Sequence, residues 1–169
     1  TATSQIACNA SALGFNIEVG EVLINHTWVR VPFANSFIQP IVVAGPPSSS
    51  GAEPVLVRIR NIDEEGFDIR LQEWDYQDGG HAYETFSYMV LEKGIYTLDN
   101  GSKIEAGSFT GSTKFSKVTL QQPYTLTPDI LTQIQTENEA DAVTGRLRKI
   151  GQSSFDYMLQ EQETTTTSH

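Results

Sequence analysis

The chain has a single cysteine, Cys8, so no internal disulfide can form. Small extracellular folds commonly rely on such cross-links, and this one is left to its apolar core or to assembly. Cations are scarce: 11 Lys and Arg stand against 21 Asp and Glu, for a net charge of −10. Phosphate neutralisation needs Lys and Arg, so the balance argues against nucleic acid and disfavours anionic membranes and sulfated polymers as partners. The longest apolar run, Ile41-Val42-Val43-Ala44, is far below the roughly 20 residues of a membrane-spanning helix, and no membrane insertion is expected. Histidines number three, His26, His81 and His169. No Gly-x-Ser-x-Gly nucleophile occurs, and Cys8 has no base near it in sequence. The expectation is a protein that is not an enzyme and uses no cofactor and no metal. The opening Thr1-Ala2-Thr3-Ser4 reads as a mature or excised terminus rather than a translation start.

The positive signal is an internal repeat. Residues Arg58 to Glu73 align with Arg146 to Glu161 at a shift of 88, with 8 identities in 16 positions. Arg58, Arg60, Ile62, Phe67, Asp68, Leu71, Gln72 and Glu73 all recur, and His81 matches His169 and Pro40 matches Pro128 at the same shift. Upstream the shift becomes 87: Ile17-Glu18-Val19-Gly20 aligns with Ile104-Glu105-Ala106-Gly107, Trp28 with Phe115 and Phe37 with Tyr124. One residue inserted near Leu126 accounts for the change. A period this long indicates duplicated domains rather than solenoid coils.

Within the first copy, Thr27–Phe33 alternates apolar and polar residues as a half-buried strand does, and Pro40–Ala44 reads as a more buried one. Val55–Ile62 and Gly66–Trp74 form a hairpin across Asp63-Glu64-Glu65-Gly66, with Gly66 suited to a positive φ. Tyr83–Glu92 closes the unit. Asn138–Val143 is the best helix candidate, but its counterpart Ser50–Val55 is loop-like, so it too is read as a loop. The reading is all-β: two tandem six-stranded antiparallel β-sandwich modules, residues 1–98 with an N-terminal extension and residues 99–169, the second lacking its last strand. A sheet without that strand exposes backbone groups and an apolar face, which Thr3–Ala10 of a neighbouring chain could cover by strand addition.

The pattern Trp28-x-x-Val31-x-Phe33, Phe37-x-x-Pro40-x-Val42, Val57-Arg58-Ile59-Arg60-Asn61-Ile62, Gly66-Phe67, Trp74 and Ser87-Tyr88-Met89-Val90-Leu91-Glu92 resembles the H-type lectin domain. The resemblance covers about residues 26–92, and incompletely 113–169. It implies six-stranded sandwiches, trimer-based homo-oligomers, and galactose or N-acetylgalactosamine bound near subunit contacts. It also assigns sugar binding to a Trp that Trp74 matches. This chain departs from it in having Asp75 where the family has His and Pro54 near the position of a sugar-binding Arg, and Gln162 replaces Trp74 in the second copy. Tandem modules of this kind are also appended to secreted bacterial proteins that act on polysaccharides.

The loop Glu73–Glu84 is the densest candidate site. Sugar sites set an aromatic face beside convergent polar groups. Trp74 and Tyr76 are the candidate platforms, and Asp75, Asp78 and His81 the polar partners. Arg58 and Arg60, on the polar face of their strand, are candidates for hydroxyl or carboxylate recognition across an interface, or for cross-strand pairing with Asp68 or Glu73. Glu73, His81 and Glu84 combine carboxylates with imidazole, a cation-binding chemistry, but are read as a structural loop-to-strand bond. Asn9, Asn25 and Asn100 begin glycosylation sequons, and Thr164–Thr167 reads as a linker. The function expected is a carbohydrate-binding, lectin-like extracellular or cell-surface module, with a glycan or polysaccharide as partner, as an accessory part of a larger polysaccharide-acting protein. The alternative is a structural subunit that assembles into an oligomer or filament through exposed strand edges.

Overall fold

A computed structural model describes residues 3–8, 14–77 and 79–161, with the backbone alone for 3–8. Asp78, Gln162, Thr164–Thr167, His169, the sequon at Asn9 and the side chain of Cys8 lie outside the described residues. All regular structure among the described residues is β, and no helix is long and apolar enough to cross a membrane.

The strands are β1 (Thr3–Cys8), β2 (Ile17–Ile24), β3 (Val29–Pro32), β4 (Pro40–Pro47), β5 (Val55–Asp63), β6 (Gly66–Glu73), β7 (Glu84–Glu92), β8 (Gly94–Thr97), β9 (Lys103–Ala106), β10 (Ser116–Thr119), β11 (Val143–Arg148) and β12 (Ser154–Glu161). One sheet has the order β1-β2-β7-β4 and a second has β3-β6-β5, all pairs antiparallel. Their facing sides meet in one core. Alternate residues of β6 (Phe67, Ile69, Leu71) and of β7 (Phe86, Tyr88, Val90) bury completely or nearly so against Val22, Ile24, Val42 and Ile59. Period-two alternation puts these side chains on one face of each strand, and burying each is worth about 1.5–3 kcal/mol. The opposite face of β2-β7-β4 is apolar too: Ile17, Met89, Leu91 and Ile41 pack with Tyr96, Ile104 and Ala106 of the β8–β9 hairpin.

The repeat is written into the hydrogen-bond register. Val55 faces Glu73 and Arg60 faces Asp68; Val143 faces Glu161 and Arg148 faces Asp156. Val29 pairs with Ile69 as Ser116 pairs with Tyr157. The amides of Phe33 and Phe37 donate to the Glu65 and Glu64 carbonyls, and those of Leu120 and Tyr124 to the Ser153 and Gln152 carbonyls. Glu18 accepts from the Ala34 amide and the Tyr88 hydroxyl; Glu105 accepts from the Gln121 amide and the Tyr124 hydroxyl. Left-handed backbone falls at Asn61 (φ 48°) and again at Lys149 (φ 52°). Gly66 does not adopt the positive φ expected of it. Glycine is required there because a β-carbon would collide with the Val31 carbonyl of the neighbouring strand, while Asp63 accepts the amides of Glu65 and Gly66 to close the turn.

The second copy is thinner than the expected sandwich. Its sheet is β10-β12-β11, and residues 128–135, the counterpart of β4, carry no strand. In the first copy the corresponding β4 is an edge strand held by β7 alone. The β12 residues Phe155 and Tyr157 instead bury edge-on against Phe109. Thr3–Cys8, within the Thr3–Ala10 stretch considered for strand addition to a neighbouring chain, pairs with β2 of its own chain, Thr3 opposite Val22.

Candidate functional site

The β6–β7 loop is pinned at both ends by buried charged residues. Alternation along β6 turns Glu73 inward after Phe67, Ile69 and Leu71, and the same alternation turns Glu84 inward at the start of β7. His81 lies between them: Nδ1 is 2.9 Å from Glu73 and Nε2 is 3.3 Å from Glu84, with all three side chains at most 2% exposed. An ionised carboxylate only accepts, so each contact is a hydrogen bond when the ring nitrogen facing it carries a proton. Both carboxylates have further donors. The Gly79 amide donates to Glu73. The Ser48 hydroxyl and the amides of Ser50 and Gly51 donate to Glu84. Burial alone would raise the Glu84 carboxyl, but these donors, with His81, outweigh it and lower its pKa to about 2. Gly51 lies flat against the imidazole, where a β-carbon would stand 2.5 Å from the ring. The His81 amide completes the pin by donating to Nδ1 of His26 at 3.1 Å.

Beyond this pin the loop presents its aromatic residues. Tyr76 is 69% exposed and Tyr83 53%; Asp75 is exposed beside Tyr76, and Trp74 is half-buried. His81 belongs to the base of the loop rather than to its outer surface. A rigid base carrying an exposed aromatic ring and a carboxylate is an arrangement that can stack on and hydrogen-bond a small polar ligand. One oxygen each of Glu53 and Glu73 and a nitrogen of His81 lie within 4.8 Å of one another, a donor set suited to a cation. The Glu73 and His81 members of that set already bond each other.

Arg58 and Arg60 are held elsewhere. They point outward from β5 onto residues 137–141 of the second copy. Arg58, 2% exposed, donates to the carbonyls of Asp141 (2.7 Å) and Glu139 (3.3 Å) and to the Gln72 side chain (2.9 Å). Burial lowers its pKa, against the pull of Glu137. Arg60 and Arg70 grip the Glu137 carboxylate at 2.6 and 3.0 Å, and Gln72 donates to the Ala140 carbonyl at 2.6 Å. Trp28 lies under both guanidinium groups, 3.9 Å from Arg60 and 4.9 Å from Arg70, a cation–π stack. The carboxylate that Arg60 recognises therefore comes from its own chain. Arg60 also stands 3.8 Å from Asp68, the cross-strand partner considered from sequence. Trp28, Arg70, Gln72 and Glu137 were not candidates from sequence; the recurrence of an aromatic and an arginine at Trp28/Phe115 and Arg60/Arg148 was the signal available. A groove of about 540 Å³ also runs between the outer face of β4 and β7 (Ile41, Val43, Met89) and Phe109, Leu131 and Phe155.

No protein-family model matches the chain, and no solved structure matches it. Among curated proteins, it is 34% identical over 145 residues, 80% of its length, to a protein named halomucin from Haloquadratum walsbyi (strain DSM 16790 / HBSQ001). The chain spans 2% of the length of that relative.

Proposed function

We propose that the chain is part of an extracellular or cell-surface protein and binds a glycan, without turnover, through the β6–β7 loop. The observation that carries this reading is the exposed Tyr76 beside Asp75 on a loop whose two ends are pinned by the buried Glu73–His81–Glu84 set. An aromatic ring packs on the C–H face of a sugar while carboxylates accept from its hydroxyls, and fixed loop ends lower the ordering cost of binding. The resemblance to the H-type lectin domain and the similarity to a stretch of halomucin support the surface setting. The module boundaries at 98/99 belong to this proposal, as does an oligomer as the working form. A glycan array followed by calorimetry tests it. Tyr76→Ala is expected to weaken a saturable glycan signal at least tenfold with the fold unchanged; equal binding by Tyr76→Ala and Trp74→Ala would remove the loop from consideration.

A second reading, a structural unit of a surface assembly, is favoured by one observation: the outer face of β5–β6 seats a segment of the neighbouring copy through the buried Arg58 and the half-buried Arg60 and Arg70. Assembly of a Trp74→Ala chain at the wild-type level would support it.

A further inference from the structure

The seam between the two copies has an unmatched half on each side. On the receiving side, β11–β12 presents outward, in the same register, the counterparts of Arg58, Arg60, Asp68 and Gln72. Arg146 donates to Gln160 at 2.6 Å as Arg58 does to Gln72 at 2.9 Å. Arg148 stacks 3.7 Å over Phe115 as Arg60 stacks over Trp28, and it pairs with Asp156 at 3.1 Å. Yet Arg58 is buried under the 137–141 segment, whereas Arg146 and Arg148 are exposed. On the donating side, the shift of 88 that relates the two faces places residues 137–141 at 49–53, Ser49-Ser50-Gly51-Ala52-Glu53. That stretch is held in shape from beneath, by the Ser50 and Gly51 amides bonded to Glu84, and leaves Ser49 and Ala52 exposed, while Glu53 turns a carboxylate oxygen to 3.9 Å from His81.

We propose that the β11–β12 face of one molecule docks the Ser49–Glu53 loop of a second copy, so that chains join head to tail by repeating the seam found within each chain. The two sides have changed together in the way this requires. Arg70, which grips Glu137, is replaced by Met158 on the open face, and Glu137 is replaced by Ser49 on the open loop. One salt bridge is lost from both partners at once. Arg146 and Gln160 remain to donate to backbone carbonyls, the role that Arg58 and Gln72 play at Glu139, Ala140 and Asp141. Glu53 stands at the position of Asp141, whose backbone carbonyl Arg58 holds in the internal seam. The contact uses different patches on the two molecules, so it is heterologous and propagates into a row unless the rotation closes a ring.

This inference develops the structural reading and is independent of glycan binding. Its test uses two one-sided chains. Arg146→Glu disables the receiving face and leaves the loop; Ala52→Trp sets a bulky ring between the loop and that face and leaves the face itself intact. Both positions are exposed, and circular dichroism confirms each fold. In sedimentation equilibrium, the wild-type mass is expected to rise with concentration beyond a dimer. Each variant alone is expected to stay monomeric, and their equimolar mixture to stop at a heterodimer. Tyr76→Ala is expected to associate as wild type does, which separates this contact from the loop's ligand binding. A wild-type chain that stays monomeric to millimolar concentration overturns the proposal. So does association unchanged by both variants, or a mixture that forms no heterodimer.

Discussion

The two copies share a register, turn geometry and an arginine-over-aromatic stack, yet they are stabilised differently. The first copy closes its core between two sheets, with Phe67 and Tyr88 meeting edge to face across it. The second sets a three-stranded sheet against loops and Phe109, and its inner face borders a groove. A hairpin can therefore keep its pairing and side-chain alternation with or without a complete sandwich above it. The local pattern of the sequence determines the ladder, and in the first copy β7 supplies the second wall of the core.

That contrast can be broken most severely at the core. Phe67→Ala is expected to cost about 4 kcal/mol, and Phe155→Ala, at the same repeat position, about half as much because its surroundings can collapse into the groove. Urea unfolding curves measure both, and equal losses would mean that the second core is as closed as the first.

The seam supplies the next test. A double-mutant cycle on Arg60 and Glu137 is expected to show coupling of about 1–2 kcal/mol, since the carboxylate is mostly buried. The Arg148–Asp156 pair, with its arginine 48% exposed, is expected to show no more than about 0.5 kcal/mol.

A smaller effect concerns acid. Glu84 titrates near 2 in the folded chain against an ordinary value of 4.5. Above 4.5 its contribution to stability is complete. As pH falls from 4.5 toward 2, the unfolded chain takes up a proton that the folded chain refuses, and the contribution is lost. Glu84→Gln is expected to be less stable at neutral pH and to show a flatter loss of stability across that window, measured by denaturation at fixed urea. An unchanged slope would show that the Ser48–Gly51 donors do not hold an ionised carboxylate.

Much of this fold was legible in the sequence because pairing and repetition leave marks in residue type. The shift of 88 anticipated the register of β5–β6 and β11–β12 residue by residue, and Asn138–Val143 is loop up to Ala142, as its counterpart suggested, with Val143 opening β11. β2 was harder to see. Its inward positions are Glu18, Gly20, Val22 and Ile24, so half of its buried face is not apolar, and only the fold supplies the Tyr88 hydroxyl and Ala34 amide that satisfy Glu18. The candidate site was legible in part. Trp74, Asp75 and Tyr76 do share one loop, but the partners of His81 lie 8 residues before it and 3 after it on two different strands. Arg58 and Arg60 look like ligand-binding cations in sequence because residue type cannot show that Glu137, 77 residues beyond Arg60, folds back to meet them.

The placing of the two tryptophans has a practical consequence. Trp28 sits in the seam beneath two guanidinium groups, and Trp74 stands at the start of the exposed loop. With only two indoles in the chain, the internal seam and the β6–β7 loop each carry their own optical reporter. Separation of the copies would change the emission of Trp28, whereas a ligand on the loop would change that of Trp74. Fluorescence can thus follow the two events independently in an unlabelled protein.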